Sequence, residues 1–148
     1  MDNWLTHQAF VAYAISCLIL CGNLLFLWGY SGAVRGRVKS TPNVEDVATF
    51  GGSLAEVDPP AVARVLRAHS NAQANIFPFV VVGLLYLLAG GNGGLATIVF
   101  GVFTAARLLH SLAYLGQWQP WRTVFYVIGA LSTGVLMVNV VWLLVRAA

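Results

Sequence analysis

The chain has 148 residues, of which 59% are hydrophobic and only 9% charged, with a formal net charge of +3 and a mean hydropathy of +0.78. So few charges cannot clothe a globule of this size in hydrated surface, which excludes a soluble domain and makes this an integral membrane protein. The small positive balance forms no basic stripe that could track a phosphate backbone, so no nucleic-acid partner is expected.

No Asp, Glu, Lys or Arg occurs between Asp2 and Arg35, between Arg67 and Arg107, or between Arg122 and Arg146. The second gap is long enough for two helices around the turn Gly90-Gly91-Asn92-Gly93-Gly94, so the three gaps predict four membrane spans, at approximately 9–30, 72–89, 95–115 and 123–145. The expected fold is an all-α four-transmembrane-helix bundle, a single domain over residues 1–148.

The first span lacks a basic leader and follows the acidic Asp2, so it is expected to stay in the membrane rather than to be cleaved. Cys17 and Cys21 are four apart, which is not the spacing of a redox or zinc pair, and they read as buried packing residues. Asn23 offers an interhelical hydrogen bond. No metal site is expected anywhere in the chain.

From Arg35 to about residue 63 runs the one sizeable loop, with Arg35, Arg37 and Lys39 at its start and Glu45, Asp46, Glu56 and Asp58 following. The cations cluster there while the Gly-rich turn has none, so the positive-inside rule places the loop in the cytoplasm and both termini outside. On spacing alone Asp46 and Glu45 read as loop salt-bridge partners. Asp58-Pro59 predicts a helix start, Asp58 as N-cap and Pro59 as first helical residue. A helix from there to Leu88 would be about 45 Å long, more than the hydrocarbon core, so its polar first half, with Arg64, Arg67 and Asn71, must project into the cytoplasm. Pro78 predicts a kink.

The third span carries Arg107, His110, Ser111 and Tyr114 at helical spacing, a polar stripe on one face. A cation at membrane depth costs at least about 2.5 to 3.5 kcal/mol, so it faces a cavity, a partner or a ligand. Snorkelling to the interface is the alternative for a lone arginine, but it does not account for four polar residues on one face. At the start of the fourth span Arg122 adds its charge to the positive end of the helix dipole and to backbone N–H groups expected to lack partners. Trp4, Trp118, Trp121 and Trp142 read as interfacial aromatics.

Three blocks, Arg64-Val-Leu-Arg67-Ala-His69-Ser-Asn71 with Ile76-Phe-Pro78-Phe, then Arg107-Leu-Leu-His110-Ser-Leu-Ala-Tyr114-Leu-Gly116, then Arg122-Thr-Val-Phe-Tyr126, resemble the membrane-associated eicosanoid and glutathione metabolism (MAPEG) family, most closely its microsomal prostaglandin E synthase and glutathione transferase branch. The resemblance runs from about Arg35 to the C-terminus. It implies a homotrimer that binds glutathione between neighbouring subunits near the cytoplasmic face. It further implies that Arg122, with Thr123, activates the thiol and that Asp46 assists at the reaction centre. Arg67, Asn71, Arg107, His110, Ser111, Tyr114 and Tyr126 would contact glutathione, and Arg35 would reach it from the adjacent subunit. Two glutamates of the family pattern are replaced by Ala63 and Ala74, and Ser70 stands where the nearest branch has an arginine.

A thiol suits such surroundings, because cations and hydroxyl donors favour the thiolate that is its nucleophilic form. The expected activity is a glutathione-dependent transferase, peroxidase or isomerase acting on a lipophilic electrophile or lipid hydroperoxide that arrives through the bilayer. The alternative is a non-catalytic protein of the same fold, a lipid-binding adaptor or accessory subunit, for which Ala63, Ala74 and Ser70 speak. The small, loop-poor chain suggests a bacterial inner membrane.

Overall fold

The computed structural model describes residues 8–147; Trp4 and the remaining terminal residues lie outside the described residues. Four helices, α1 (Gln8–Val38), α3 (Pro60–Leu88), α4 (Gly93–Leu115) and α5 (Trp121–Ala147), are long and apolar enough to cross a membrane, and a short helix α2 (Val44–Phe50) lies in the loop. The four spans are those expected from the charge-free gaps. Half of the most apolar stretch of α4 is buried, against 22 to 28% for the other three, so α4 is the central helix of the bundle.

Helix α1 runs two turns beyond the apolar segment, so Arg35 and Arg37 belong to its last turn and not to the loop. At about 46 Å it exceeds the hydrocarbon thickness, and α3 does the same from the other side of the loop. Arg35 Nη1 lies 2.7 Å from Asp58 Oδ1, an ion pair joining the end of α1 to the approach of α3. Asp58 is therefore not the expected N-cap: Pro59 occupies that place without a side-chain bond, and Pro60 is the first helical residue. The helix continues through Pro78. Between α1 and α3 the all-α description has one exception, a two-residue parallel pairing of β1 (Ser40–Thr41) with β2 (Ser53–Leu54). Gly52 makes that pairing possible, since its φ is +104° and a Cβ there would stand 2.6 Å from the Lys39 carbonyl oxygen.

The core is aromatic. Phe79 of α3 stacks on Phe103 of α4 with centroids 3.5 Å apart, and Phe100 meets Phe79 and Tyr13 edge-on, each at 5.6 Å. Gly83 admits this cluster, because a Cβ there would stand 2.9 Å from Phe100 and 3.1 Å from Tyr13. At the far end Asn92 caps α4 through the Leu95 N–H (3.0 Å), and Tyr86 donates to the Asn92 carbonyl, closing the Gly-rich turn. Cys17 is half-buried and Cys21 is exposed on the protomer surface, so only the first has the packing role expected of both.

Asn23 makes the expected interhelical bond: its Nδ2 donates to Ser111 Oγ at 3.0 Å, and Ser111 Oγ donates in turn to the Arg107 carbonyl at 3.1 Å. Asn23→Leu should therefore lower stability by about 1 kcal/mol, the usual worth of such a bond between membrane helices. Unfolding in mixed detergent micelles measures it. An unchanged midpoint would mean that the buried pair contributes nothing to α1–α4 association.

Candidate active site

Arg107 is 1% exposed, the largest fully buried side chain of the protomer. Its Nε, Nη1 and Nη2 donate to no protein acceptor among the described residues. Space for the guanidinium comes from α5, where Gly129 has no side chain: a Cβ there would already touch Arg107 Nε at 3.6 Å. The Tyr126 ring lies 6.0 Å from Arg107 Cζ, a weak cation–π contact. His110, one turn further along α4, is 3% exposed and its ring sits 5.8 Å from Tyr114 and 6.4 Å from Tyr126. The sequence explains why no counter-ion is near among the described residues. Beyond Asp58 the chain has five arginines and no acidic residue.

Above Arg107 the three helices leave a cavity of about 260 Å³, lined by Asn71 of α3, His110 and Tyr114 of α4, and Arg122, Thr123 and Tyr126 of α5. Arg122 is half-buried and lies 4.8 Å over the Tyr114 ring. Gln119, at the turn before α5, fixes it. With the amide oriented as its neighbours require, Gln119 Oε1 accepts from Arg122 Nη2 at 2.7 Å and Nε at 3.1 Å, while its nitrogen donates to Thr123 Oγ1 at 3.3 Å. The reverse orientation would set amide hydrogens against guanidinium hydrogens. Asn71 Oδ1 is buried with no protein donor among the described residues. The cavity thus presents a guanidinium without a carboxylate, two tyrosines, a threonine hydroxyl and an unused amide oxygen, a set suited to an anionic peptide-like ligand.

The first turn of α5 differs from expectation. The Arg122 N–H bonds the Trp118 carbonyl, and the Thr123 and Val124 N–H groups bond that of Pro120, at 2.9 to 3.1 Å. These backbone donors are already used by the turn, leaving the helix dipole and the guanidinium to favour an anion there.

The remaining residues singled out in the sequence lie elsewhere in the protomer. Ser111 faces α1, where it helps line an almost wholly apolar groove of about 400 Å³ with Asn23, Phe26, Leu108 and Leu112. The stripe on α4 is therefore divided between two sides of the helix. Arg107, His110 and Ser111 are buried within one protomer, and Tyr114 is half-buried. Arg67 is exposed on α3. Arg35 and Asp46 line a separate cavity of about 640 Å³ at the loop, with Lys39 and Phe50. Asp46 is held by neutral donors, Thr41 Oγ1 at 3.1 Å and Asn43 Nδ2 at 2.9 Å, and not by the salt bridge expected from spacing. Gln119 and Gly129 were not legible as site residues, the first for want of a motif, the second because its role is a contact between helices. The one-sided charge after Asp58 is the sequence signal that points to their neighbourhood.

A family model described as the MAPEG family matches residues 13–142. The chain belongs to the MAPEG family. It is similar to prostaglandin E synthase of Homo sapiens, 35% identical over 135 residues that cover 87% of this chain and 89% of that one, and to the same enzyme of Equus caballus, 35% identical with 87% and 88% covered. It is also similar to microsomal glutathione S-transferase 1 of Rattus norvegicus, 38% identical over 134 residues, 87% of this chain and 84% of that one. This MAPEG protein is accordingly an integral, multi-pass membrane protein with a four-helix bundle.

Burying an unpaired charge opposes folding, so a site built around one should be less stable than its apolar counterpart. Arg107→Met, which keeps the length of the side chain, should leave the thermal midpoint of the ligand-free protein unchanged or raise it, by about 1 to 4 kcal/mol in stability. Arg107→Ala should lower it through the cavity it leaves. A strong loss of stability in Arg107→Met would show that the guanidinium holds the bundle together by bonds of its own.

Proposed function

We propose that this MAPEG protein is a glutathione-dependent enzyme, a transferase, peroxidase or isomerase that activates the glutathione thiol for reaction with a lipophilic substrate. The observation that carries the reading is the Arg122–Thr123 pair on the wall of the 260 Å³ cavity, a cation with no carboxylate partner beside a hydroxyl. The similarity to a glutathione S-transferase supports the same ligand. The residues present fit it. Glutathione carries two carboxylates, an ammonium, peptide groups and a thiol. On the cavity wall Arg122 is available for an anionic group and the buried Asn71 Oδ1 for an N–H, with the charge of the buried Arg107 behind them. Tyr114 and Tyr126 add hydroxyls. Ala63 and Ala74, where the family pattern has glutamates, leave the ligand's ammonium without a carboxylate from those positions.

When bound, glutathione supplies a thiolate nucleophile; moving its thiol by two pKa units requires about 2.7 kcal/mol of differential stabilisation. Arg122 contributes its charge to that site, strengthened by the positive end of α5. Thr123 contributes a hydroxyl. A lipid hydroperoxide or apolar electrophile would reach the cavity from the bilayer; the apolar groove between α1 and α4 lies on the other side of α4 and shares no lining residue with it.

Within one protomer Arg35 and Asp46 line a different cavity from Arg122, so a site using all three needs the loop of a neighbouring copy against the α4–α5 face. That supports a site shared between copies, and the family resemblance makes the number of copies three. The distribution of cations supports a loop and site that face the cytoplasm, and the small, loop-poor chain supports a bacterial inner membrane.

Two outcomes follow. Native mass spectrometry in mild detergent should report three copies, and a persistent monomer at high concentration would remove the shared site. Arg122→Gln should lower turnover by about ten to a thousand-fold, the scale of losing one charged donor in a dry site, with a smaller change in glutathione binding. A variant as active as the parent would leave the adaptor reading as the better one.

A further inference from the structure

We propose that Gln119 is a positioning residue that fixes the donor directions of Arg122 and Thr123, an inference that rests on the glutathione-dependent reading of their cavity. Gln119 is not in any of the motif blocks and its own side chain does not line the cavity. Its single oxygen takes two of the five guanidinium N–H groups, at Nε and Nη2, which locks the plane of the fork. The Nη1 hydrogens and the second Nη2 hydrogen are left for the cavity. Its nitrogen occupies an acceptor site of Thr123 Oγ1, so the threonine hydrogen is free to be donated to a bound group and not consumed by the turn. One neutral amide thereby gives both residues the same polarity: donors outward, acceptors inward.

The turn holds Gln119 in register. Gln117 has φ +62°, Trp118 packs over Gly116, and the Trp118 and Pro120 carbonyls accept from the first N–H groups of α5. The chemistry also explains why the residue is an amide. A carboxylate there would accept from the guanidinium equally well, but it would neutralise the cation and would make Thr123 donate to it, reversing the hydroxyl. The other charged or titratable groups on the cavity are His110 and Tyr114 from α4 and Tyr126 from α5, with neutral Asn71 from α3. Beyond Asp58 the chain has no acid that could already do this.

The test compares the parent with Gln119→Leu and Gln119→Glu in three readouts: the fraction of bound glutathione present as thiolate, followed by ultraviolet absorbance; glutathione affinity by calorimetry; and labelling of Arg122 by an arginine-selective dicarbonyl reagent, followed by mass spectrometry. Gln119→Leu should form about three- to tenfold less thiolate and Gln119→Glu about tenfold less or lower still, each with a smaller change in affinity. A merely structural role gives the opposite order, since glutamate keeps the bonds to Arg122 that leucine loses. Thiolate in Gln119→Glu equal to the parent overturns the proposal. Labelling needs no thiol, so it separates the two levels: Arg122 should react several-fold faster in Gln119→Leu, and an unchanged rate overturns the positioning contact even if the parent binds no glutathione. A parent that binds no glutathione while Arg122 is protected by Gln119 would refute the reading of the cavity and leave the contact standing.

Discussion

A guanidinium buried among apolar helices, with no carboxylate among the described residues to neutralise it, is the condition on which the rest of this structure depends. Arg107 stands about 12 Å from the C-terminal end of α4, too deep for its head to be treated as a surface charge. Charged groups at such depth are tolerated when the protein or a ligand supplies compensation. Here the protein supplies little: the face of the Tyr126 ring and the absent side chain of Gly129. After Asp58 no acid follows, so whatever balances Arg107 and Arg122 comes from outside the bundle.

The scaffold is arranged to hold that condition still. The aromatic stack of Phe79, Phe100 and Phe103 fastens α3 to α4 below the cavity, and the Asn23–Ser111 bond fastens α1 to the opposite side of α4. Helix α5 then closes the remaining side, with Ser132 and Leu136 buried and Gly129 set against Arg107. The Arg35–Asp58 pair anchors the loop to the ends of α1 and α3. Since that pair occupies one of the chain's few acids at the loop, it is not available to the arginines of the cavity.

Much of this was legible in the sequence because a membrane chain announces its spans by where charges are missing. The four helices and their order follow from three charge-free gaps and one Gly-rich turn. The cavity's lining was legible too, because His110 and Tyr114 share a face and Asn71, Arg122, Thr123 and Tyr126 stand in motif blocks; Arg107, on the same face, is buried against Gly129 and does not line it. What sequence periodicity could not supply is direction to within a quarter turn: Ser111 falls on the α1 side, away from its neighbour His110. The loop departs from its sequence pattern for a related reason. Asp58 and Asp46 have sequence neighbours suited to capping and salt bridges, but tertiary placement gave Asp58 to Arg35 and surrounded Asp46 with neutral donors. Gln119 had no pattern to mark it.

The central claim is that the uncompensated arginines await the anionic groups of a thiol tripeptide. Calorimetric titration of the purified, detergent-solubilised protein with glutathione, and in parallel with its diester in which both carboxylates are blocked, tests it most directly. The account predicts saturable binding of glutathione and at least about tenfold weaker binding of the diester, because charge-assisted bonds to arginine carry much of the affinity. Equal binding of the two, or no binding of either by protein shown to be folded, would contradict it.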